Sequence, residues 1–336
     1  MASDRLSAAW EGVRMDLDRL AGPLADVLAG HYGPGVRVRG LGRAAGGSSR
    51  TTCSFDAVTA AGEEHPLILR LGAQDVGMGV PLVREAALMR AAGAAGVPSP
   101  AVVAAGDGDG PLGAEFVVME RVEGETIPRR VLRDPTLAEA RAGLAVRCGE
   151  ILAAVHRIPP EDVPGLDAAD QFDTWRAVLE ATGRPQPALE FALRRLEQDR
   201  PPARHTTVVH GDFRNGNLII GQDGVRAVLD WELAHLGDPM EDLGWLCVKA
   251  WRFGAEPPVG GFGTYEQLVD GYERASGTTV DRAALRWWEM FGVARWAVIC
   301  LMQAQRHLTG GERSVELAAI GRRVAENEWD LLRMLP

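Results

Sequence analysis

Two polar segments in the second half of the chain carry residues that could transfer a phosphoryl group. Residues 210–217 read HGDFRNGN, and LDWE follows at residues 229–232 after two strand-like runs. Phosphoryl transfer needs a carboxylate beside the attacking hydroxyl and oxygen ligands that hold magnesium on the triphosphate. Asp212 fits the first role, and Asn217 with Asp230 fits the second. A loop followed by a returning hairpin would bring these three side chains to one rim.

Each motif alone is weak, because HGD and DW arise by chance and clusters of Asp, Asn and Gly usually mark surface turns. Together with AHLGDPMEDLGW at residues 234–245, they resemble the aminoglycoside phosphotransferase and choline kinase superfamily. The chain looks nearest to the branch related to the kinase domain fused to acyl-CoA dehydrogenases, and the resemblance covers nearly its whole length. It implies transfer of the γ-phosphate of ATP to a small-molecule hydroxyl. Asp212 would be the base or hydroxyl-orienting group, and Asn217 and Asp230 the Mg²⁺ ligands.

The elements ahead of these motifs predict a small, mostly antiparallel sheet with one helix after Pro81. An N-terminal helix is predicted over residues 4–28, ended by Gly30 and the turn at Gly33-Pro34-Gly35. Strand-like runs occur at residues 36–41, 51–59, 67–71, 101–105 and 115–122. From Asp134 onward the pattern is mainly helical, with a last helix over residues 314–335. The sequence predicts an α+β, two-lobed protein-kinase-like fold with an N-terminal lobe at 1–121 and a helical C-terminal lobe at 122–336.

Three features of the N-terminal half are candidates for holding a nucleotide. Gly46-Gly47-Ser48-Ser49 lies between two strands and resembles the family's phosphate loop, although a plain hairpin connection has the same composition. Arg70 ends a strand where kinases usually place a phosphate-binding lysine, and its fixed charge suits phosphate; an edge-strand surface arginine is the alternative. Glu85 is the candidate ion-pair partner of Arg70, although Arg84 beside it is also typical of a solvated helical face.

The strand at residues 116–122 resembles the segment that binds the adenine base in kinases. Backbone groups of Glu120 and Val122 would bind the adenine edge, and Met119 would line the base pocket, unless it is plain core. We interpret His156 and His210 as structural and Asp238 as a helix cap. Arg214 has two readings, contact with a phosphate or acidic substrate and a surface salt bridge.

Composition excludes several classes of protein. A formal net charge of −10 without long basic runs argues against nucleic-acid binding. The four cysteines are far apart and are expected to be buried free thiols. No secretory signal or membrane-length apolar stretch is recognisable, so we expect a cytoplasmic protein without membrane contact. The oligomeric state cannot be read from the sequence.

The cofactors expected are ATP and Mg²⁺, and the partner expected is a small-molecule hydroxyl acceptor. A protein kinase is disfavoured because no long activation segment follows Asp230; the alternative is a nucleotide-binding pseudokinase without transfer. Two sets of charges leave the acceptor open. An acidic set would suit aminoglycosides and comprises Glu123, Glu125, Glu232 and Glu241. A cationic set would suit hydroxyacyl or other anionic acceptors and comprises Arg129, Arg130, Arg214 and Arg252.

Overall fold

The computed structural model describes residues 17–44, 50–72, 79–202, 205–309 and 313–335. The chain divides into two compact units. The first comprises Met1–Gly77, Pro81–Ala86 and Pro100–Arg121, and the second comprises Met78–Val80, Ala87–Ser99 and Val122–Pro336.

The first unit is built on a five-stranded antiparallel sheet in the order β1-β2-β3-β5-β4. Its elements are α1 (Leu17–Tyr32), β1 (Arg37–Arg43), β2 (Thr51–Val58), β3 (Glu64–Leu71), β4 (Val102–Asp107) and β5 (Glu115–Glu120), together with the start of α2 (Leu82–Ala94). In the register of β3, Arg70 lies between Thr52 of β2 and Val117 of β5.

The core of the first unit lies between α1 and one face of this sheet. Leu24 and Leu28 of α1 are fully buried against Phe55, Leu67 and Leu69. Alternation along β2 and β3 produces this face, because successive strand residues point to opposite sides. The sheet thereby becomes a rigid support for the polar residue Arg70.

The second unit is mainly helical. Its helices are α3 (Pro128–Arg133), α4 (Ala138–Val155), α5 (Gln171–Ala181), α6 (Pro187–Gln198), α7 (Met240–Cys247), α8 (Tyr265–Ser276), α9 (Arg282–Leu308), α10 (Val315–Gly321) and α11 (Val324–Met334). Its strands are β6 (Thr207–Val209), β7 (Leu218–Gly221), β8 (Gly224–Val228) and β9 (His235–Gly237), with β6 paired to β9 and β7 to β8. Short 3₁₀ turns cover Trp231–Leu233 and Lys249–Arg252.

Helices α4 and α8 approach closely at Gly149. A Cβ atom there would lie 2.6 Å from the backbone nitrogen of Tyr272 and would also overlap the carbonyl oxygen of Leu268. Backbone atoms cannot rotate away as a side chain can, so only glycine fits at this crossing. The close approach places His156, one residue past α4, beside Tyr272 of α8.

The predicted α+β class is confirmed, whereas two helix boundaries differ. Helix α1 continues past Gly30 to Tyr32 and stops before Gly33, which has a φ of +85°; the part of the predicted helix at 4–16 lies outside the described residues. The single helix predicted over 314–335 is two helices, interrupted after Gly321, a poor helix former.

All four cysteines are free and buried, as predicted. In the part of the chain that the structure describes, no helix is both long and apolar enough to cross a membrane.

We predict that Gly149→Ala destabilises the protein by about 1–3 kcal/mol, because the added methyl group forces α4 and α8 apart. Gly143→Ala is the matched control, since it lies on the same helix and its Cβ would meet nothing within 4 Å. The control should be neutral or slightly stabilising. Urea denaturation of both variants checks this; equal midpoints would contradict the close-packing argument.

Candidate active site

Residues 210–217 form a loop between β6 and β7 in the second unit. Gly211 has a φ of +79°, and a Cβ atom there would collide with the carbonyl oxygen of Leu233. A side chain is therefore excluded by both backbone conformation and space. The tight turn at Gly211 directs the following residue, Asp212, out of the interior, where its side chain is 13% exposed.

The buried carboxylate of Asp242 anchors this loop. Its Oδ2 accepts the backbone N–H of His210 at 2.8 Å, and its Oδ1 accepts that of Gly211 at 3.0 Å. His156 Nε2 lies 3.2 Å from Oδ2, and His156 Nδ1 lies 2.9 Å from the hydroxyl of Tyr272. The carboxylate thus satisfies two backbone donors that no regular secondary structure pairs.

The charge of Asp242 is stabilised by its surroundings. Burial by itself would raise the pKa of this carboxyl group, but the hydrogen bond and charge of His156, together with the backbone N–H of His210, hold the pKa below its ordinary value. Asp242 is therefore an anion at neutral pH.

The carboxylate of Asp212 receives three donors. Trp245 Nε1 donates to Oδ1 at 2.8 Å, and Asn217 Nδ2 donates to Oδ2 at 2.6 Å. Arg214 Nε lies 3.1 Å from both oxygens. These bonds fix the orientation of a partly exposed carboxylate, which is what a group that orients a hydroxyl requires.

The β7–β8 hairpin brings Asp230 back to the end that carries Asn217. The backbone N–H of Leu229 donates to the carbonyl oxygen of Asn217 at 2.8 Å, and Asp230 is the next residue. Asp230 has φ and ψ of 67° and 64°, a left-handed conformation that a non-glycine residue adopts at some cost. The strained backbone turns the chain at this point.

These residues fit a magnesium ion. Asn217 uses its amide nitrogen on Asp212, both at Oδ2 and at the backbone oxygen, so that its Oδ1 is the atom left for a cation. An amide oxygen and a carboxylate are hard ligands, and Mg²⁺ is commonly held by one or two protein groups completed by phosphates. Within the described residues, no cluster of three or more His, Cys, Asp or Glu forms a metal cage by itself.

His210 forms hydrogen bonds with both segments of the site, the loop at residues 210–217 and the segment that ends at Asp230. Its Nδ1 accepts the backbone N–H of Asp212 at 3.2 Å, which leaves Nε2 as the protonated nitrogen that donates to the carbonyl of Leu229 at 3.1 Å. Burial lowers the pKa of His210 against the opposing charges of Asp242, Asp212 and Asp230. The neutral ring thus connects Asp212 to the residue before Asp230, in agreement with the predicted structural role.

A buried charge cluster lies beneath the loop. Arg295 donates to the carbonyl oxygen of Gly211 at 2.9 Å and to Oε1 of Glu241 at 3.0 Å, and its guanidinium carbon lies 4.5 Å from the ring centre of Trp245. The other oxygen of Glu241 lies 3.0 Å from Nε2 of His235. Arg295 therefore fixes both the loop backbone and the indole that contacts Asp212.

In the first unit, Arg70 and Glu85 are paired as predicted, with 2.7 Å between Arg70 Nη1 and Glu85 Oε2. The carboxylate of Glu85 is 1% exposed and also forms an ion pair with Arg50. A buried carboxylate between two guanidinium groups is a strongly ordered arrangement. It holds Arg70 on β3 in a fixed position.

The structure says less about the other residues that were predicted to bind the nucleotide. Gly46, Gly47, Ser48 and Ser49 lie outside the described residues. Met119 is buried, and the N–H of Glu120 donates to the carbonyl of Ala101 at 2.9 Å, so this N–H is already bonded within the protein. Val122 belongs to the second unit.

In each unit, residues that hold the predicted groups had no assigned role in the sequence. In the second unit, Asp242 and Arg295 contact residues 31 and 84 positions away; in the first, Arg50 contacts a residue 35 positions away. One signal for Arg295 was available, since it is a lone charge in the apolar segment of α9 and such charges are usually paired. Asp238 accepts the N–H of Met240 at 2.8 Å, consistent with the predicted helix cap.

An antiparallel sheet unit, a helical unit and a loop with an oriented Asp, an Asn and a returning Asp define a kinase-like phosphotransferase. The sequence profile of the "Phosphotransferase enzyme family" matches residues 44–288. The chain belongs to this family.

Individual relatives and structures agree with that assignment. Acyl-CoA dehydrogenase family member 10 of Mus musculus is 28% identical over 274 residues, which cover 74% of this chain and 25% of that protein. The chain thus spans about a quarter of the length of this relative. A structure from Ralstonia eutropha, provisionally described as an aminoglycoside phosphotransferase, superposes with a TM-score of 0.74 at 23% identity and covers 94% of this chain and 98% of the other.

A second solved structure is a spectinomycin phosphotransferase in complex with ADP and spectinomycin. It matches with a TM-score of 0.62 at 12% identity and covers 93% of this chain and 98% of that chain. These structural likenesses confirm the predicted kinase-like fold.

We predict that Asp242→Asn destabilises the protein by about 3–5 kcal/mol, because an amide NH₂ group would face a backbone N–H donor and the partner of His156 would be lost. Asp270→Asn, an exposed position on α8, removes the same charge and should change stability by less than about 0.5 kcal/mol. Chemical denaturation measures both variants. Similar stabilities would show that Asp242 does not anchor the loop.

We also predict that the protein loses stability as the pH rises above about 6.5, and that this loss depends on His235. Burial lowers the pKa of His235, but the charge and hydrogen bond of Glu241 outweigh it, so the folded-state pKa is raised. The stabilisation from the bound proton is complete below about 6.5, the unfolded value, and is lost as the pH rises through the folded pKa. Thermal midpoints against pH should lose this decline in His235→Gln and keep it in His31→Gln, at an exposed position.

Proposed function

We propose that this protein transfers the γ-phosphate of ATP, with Mg²⁺, to a hydroxyl group of a small molecule. The observation that carries the proposal is the orientation of the Asp212 carboxylate by three donors, at a partly exposed position in the loop that also holds Asn217. Membership in the phosphotransferase family supports the reaction class. The ADP in the complex of the spectinomycin phosphotransferase supports an adenine nucleotide.

Asp212 would accept a hydrogen bond from the acceptor hydroxyl and take its proton as the new bond between that oxygen and the γ-phosphorus forms. The bond from the γ-phosphorus to the β–γ bridging oxygen breaks in the same step, and ADP leaves with the bonding electrons. Its three donors prevent the carboxylate from rotating, so the acceptor oxygen is aligned before reaction. Asn217 and Asp230 would hold magnesium, which neutralises phosphate charge when bound. Arg70, oriented by Glu85, would bind phosphate oxygens with a charge that does not titrate.

The charges around Asp212 favour a neutral or anionic acceptor over a polycationic one. Of the acidic set, Glu241 is 3% exposed and bonded to Arg295 and His235, so it is not available to an acceptor. The charged side chain that contacts Asp212 is the cation Arg214. Since Asp212 and Arg214 together carry no net charge, a polycationic aminoglycoside gains no net anionic partner from this pair, and a hydroxyacyl compound meets no net negative charge.

The similarity to part of an acyl-CoA dehydrogenase family member also favours a hydroxyacyl acceptor. The pseudokinase alternative has less support, because Asp212, Asn217 and Asp230 are all present. The one departure from the usual kinase residues, Arg70, is held by Glu85 as a kinase lysine would be.

We predict magnesium-dependent ATP consumption with one class in a panel of hydroxyacyl thioesters, sugars, choline and aminoglycosides. Asp212→Ala should lower kcat by roughly 100- to 10,000-fold, because it removes the proton acceptor. Asp223→Ala is the control, since it removes an exposed carboxylate from the β7–β8 turn. The measurement is product phosphate on the acceptor, with and without EDTA.

The outcomes separate the two functions. Turnover that is lost in Asp212→Ala and kept in Asp223→Ala supports the kinase. Tight nucleotide binding without phosphorylation of any acceptor would instead favour the pseudokinase, and aminoglycosides as the sole acceptors would contradict the charge argument.

A further inference from the structure

Arg214 is held in place from two sides. Its Nε lies 3.1 Å from both carboxylate oxygens of Asp212, and its guanidinium carbon lies 4.7 Å from the ring centre of Trp251. Trp251 is 5% exposed and packs between Trp245 and Trp296, with ring centres 5.1 and 4.8 Å away. A cation over a buried indole face is favourable and has few alternative positions.

Backbone geometry also makes room for this side chain. A Cβ atom at Gly216 would lie 2.7 Å from Nη1 of Arg214, so a larger residue would displace the guanidinium group. Side-chain exposures of 24% for Arg214 and 13% for Asp212 show that both reach the surface of the loop. The pair is thus neither a deeply buried ion pair nor a mobile surface contact.

The contact through Nε is informative. Arginine usually binds a carboxylate through two nitrogens of its fork, whereas here one N–H is shared between both oxygens. The same oxygens also accept the indole N–H of Trp245, at Oδ1, and the amide N–H of Asn217, at Oδ2. Arg214 is therefore the third donor to this carboxylate. Removing it would leave the carboxylate with a single side-chain donor on each oxygen, so its orientation would be held less tightly.

We propose that Arg214 is a positioning residue for phosphoryl transfer, which holds the carboxylate of Asp212 in its reactive orientation and is itself held by the face of Trp251. This proposal rests on the proposed function. It predicts an effect on kcat and not on substrate binding, because Arg214 acts through Asp212.

The kinetic test compares Arg214→Ala with Arg147→Ala, which removes an exposed arginine of α4. With the acceptor identified above, Arg214→Ala should lower kcat by roughly 100-fold, as expected for a misplaced catalytic group, with both KM values within about threefold. Added guanidinium ion, below unfolding concentrations, should restore part of kcat in Arg214→Ala and none in Asp212→Ala. Arg214→Lys should be intermediate, since lysine lacks the planar N–H group.

Trp251→Ala tests the second half of the proposal. It should lower kcat in the wild type and have little further effect in Arg214→Ala, because both substitutions release the same carboxylate. Additive effects would overturn the role of Trp251. A rise in KM with unchanged kcat in Arg214→Ala would overturn positioning and make Arg214 a substrate-binding group.

A readout without turnover keeps this proposal separate from the proposed function. In spectra of the indole N–H groups of the nine tryptophans, the Trp245 resonance, assigned with Trp245→Phe, reports its bond to Asp212. It should shift and exchange faster with solvent in Arg214→Ala and stay unchanged in Arg147→Ala. An unchanged resonance would overturn the proposal even if the enzyme is active, and a shift without any transfer activity in the wild type would refute the proposed function alone.

Discussion

The bond between the buried carboxylate of Asp242 and the two consecutive N–H groups of His210 and Gly211 is the constraint on which the site depends. The loop that carries Asp212 has no ladder of its own, so its backbone must be fixed by side chains. Asp242 holds the two N–H groups, and Arg295 on a different helix holds the carbonyl oxygen of Gly211. Both the N–H and the carbonyl groups of the turn are therefore hydrogen-bonded to side chains, and these bonds determine the position of Asp212, the next residue.

The side chains that hold the loop are buried and charged, and each would lower the stability of the protein if it had no partner. Asp242 is paired with His156, and Glu241 with Arg295 and His235; a third buried carboxylate, Glu289, accepts the hydroxyl of Tyr265 and pairs with Arg252. Apolar replacements of similar volume could be equally stable. Of these charged side chains, Asp242 and Arg295 contact the backbone of the loop directly, and Glu241 pairs with Arg295.

The sequence predicted the parts of the site that are local. Asp212 and Asn217 share one loop, and hairpin geometry relates Asn217 to Asp230, so spacing alone placed them together. The sheet was predicted from strand-like runs of apolar residues. The ion pair of Arg70 with Glu85 was predicted from the resemblance to kinases. Residues such as Asp242 and Arg50 were missed because their partners are remote in sequence and no periodicity reports a contact with a backbone amide.

Arg214 shows why chemistry cannot be read from residue type alone. Phosphate contact and a surface salt bridge were both consistent with its position, and the structure shows a partly exposed salt bridge, formed with Asp212 across the face of an indole. The helix ends were predicted less accurately. The first helix passes Gly30 and ends only at the turn that begins with Gly33, and the last predicted helix is interrupted after Gly321.

The use of Arg70 in place of lysine has a consequence for chemical biology. Reagents that tag ATP sites by acylating or sulfonylating an amine need a nucleophilic nitrogen, and a guanidinium group that never loses its proton offers none. Lys249, the single lysine of the chain, forms an ion pair with Asp330 in the helical unit. An amine-directed nucleotide probe bound at the proposed phosphate site would therefore find a guanidinium group at residue 70 and would not label it.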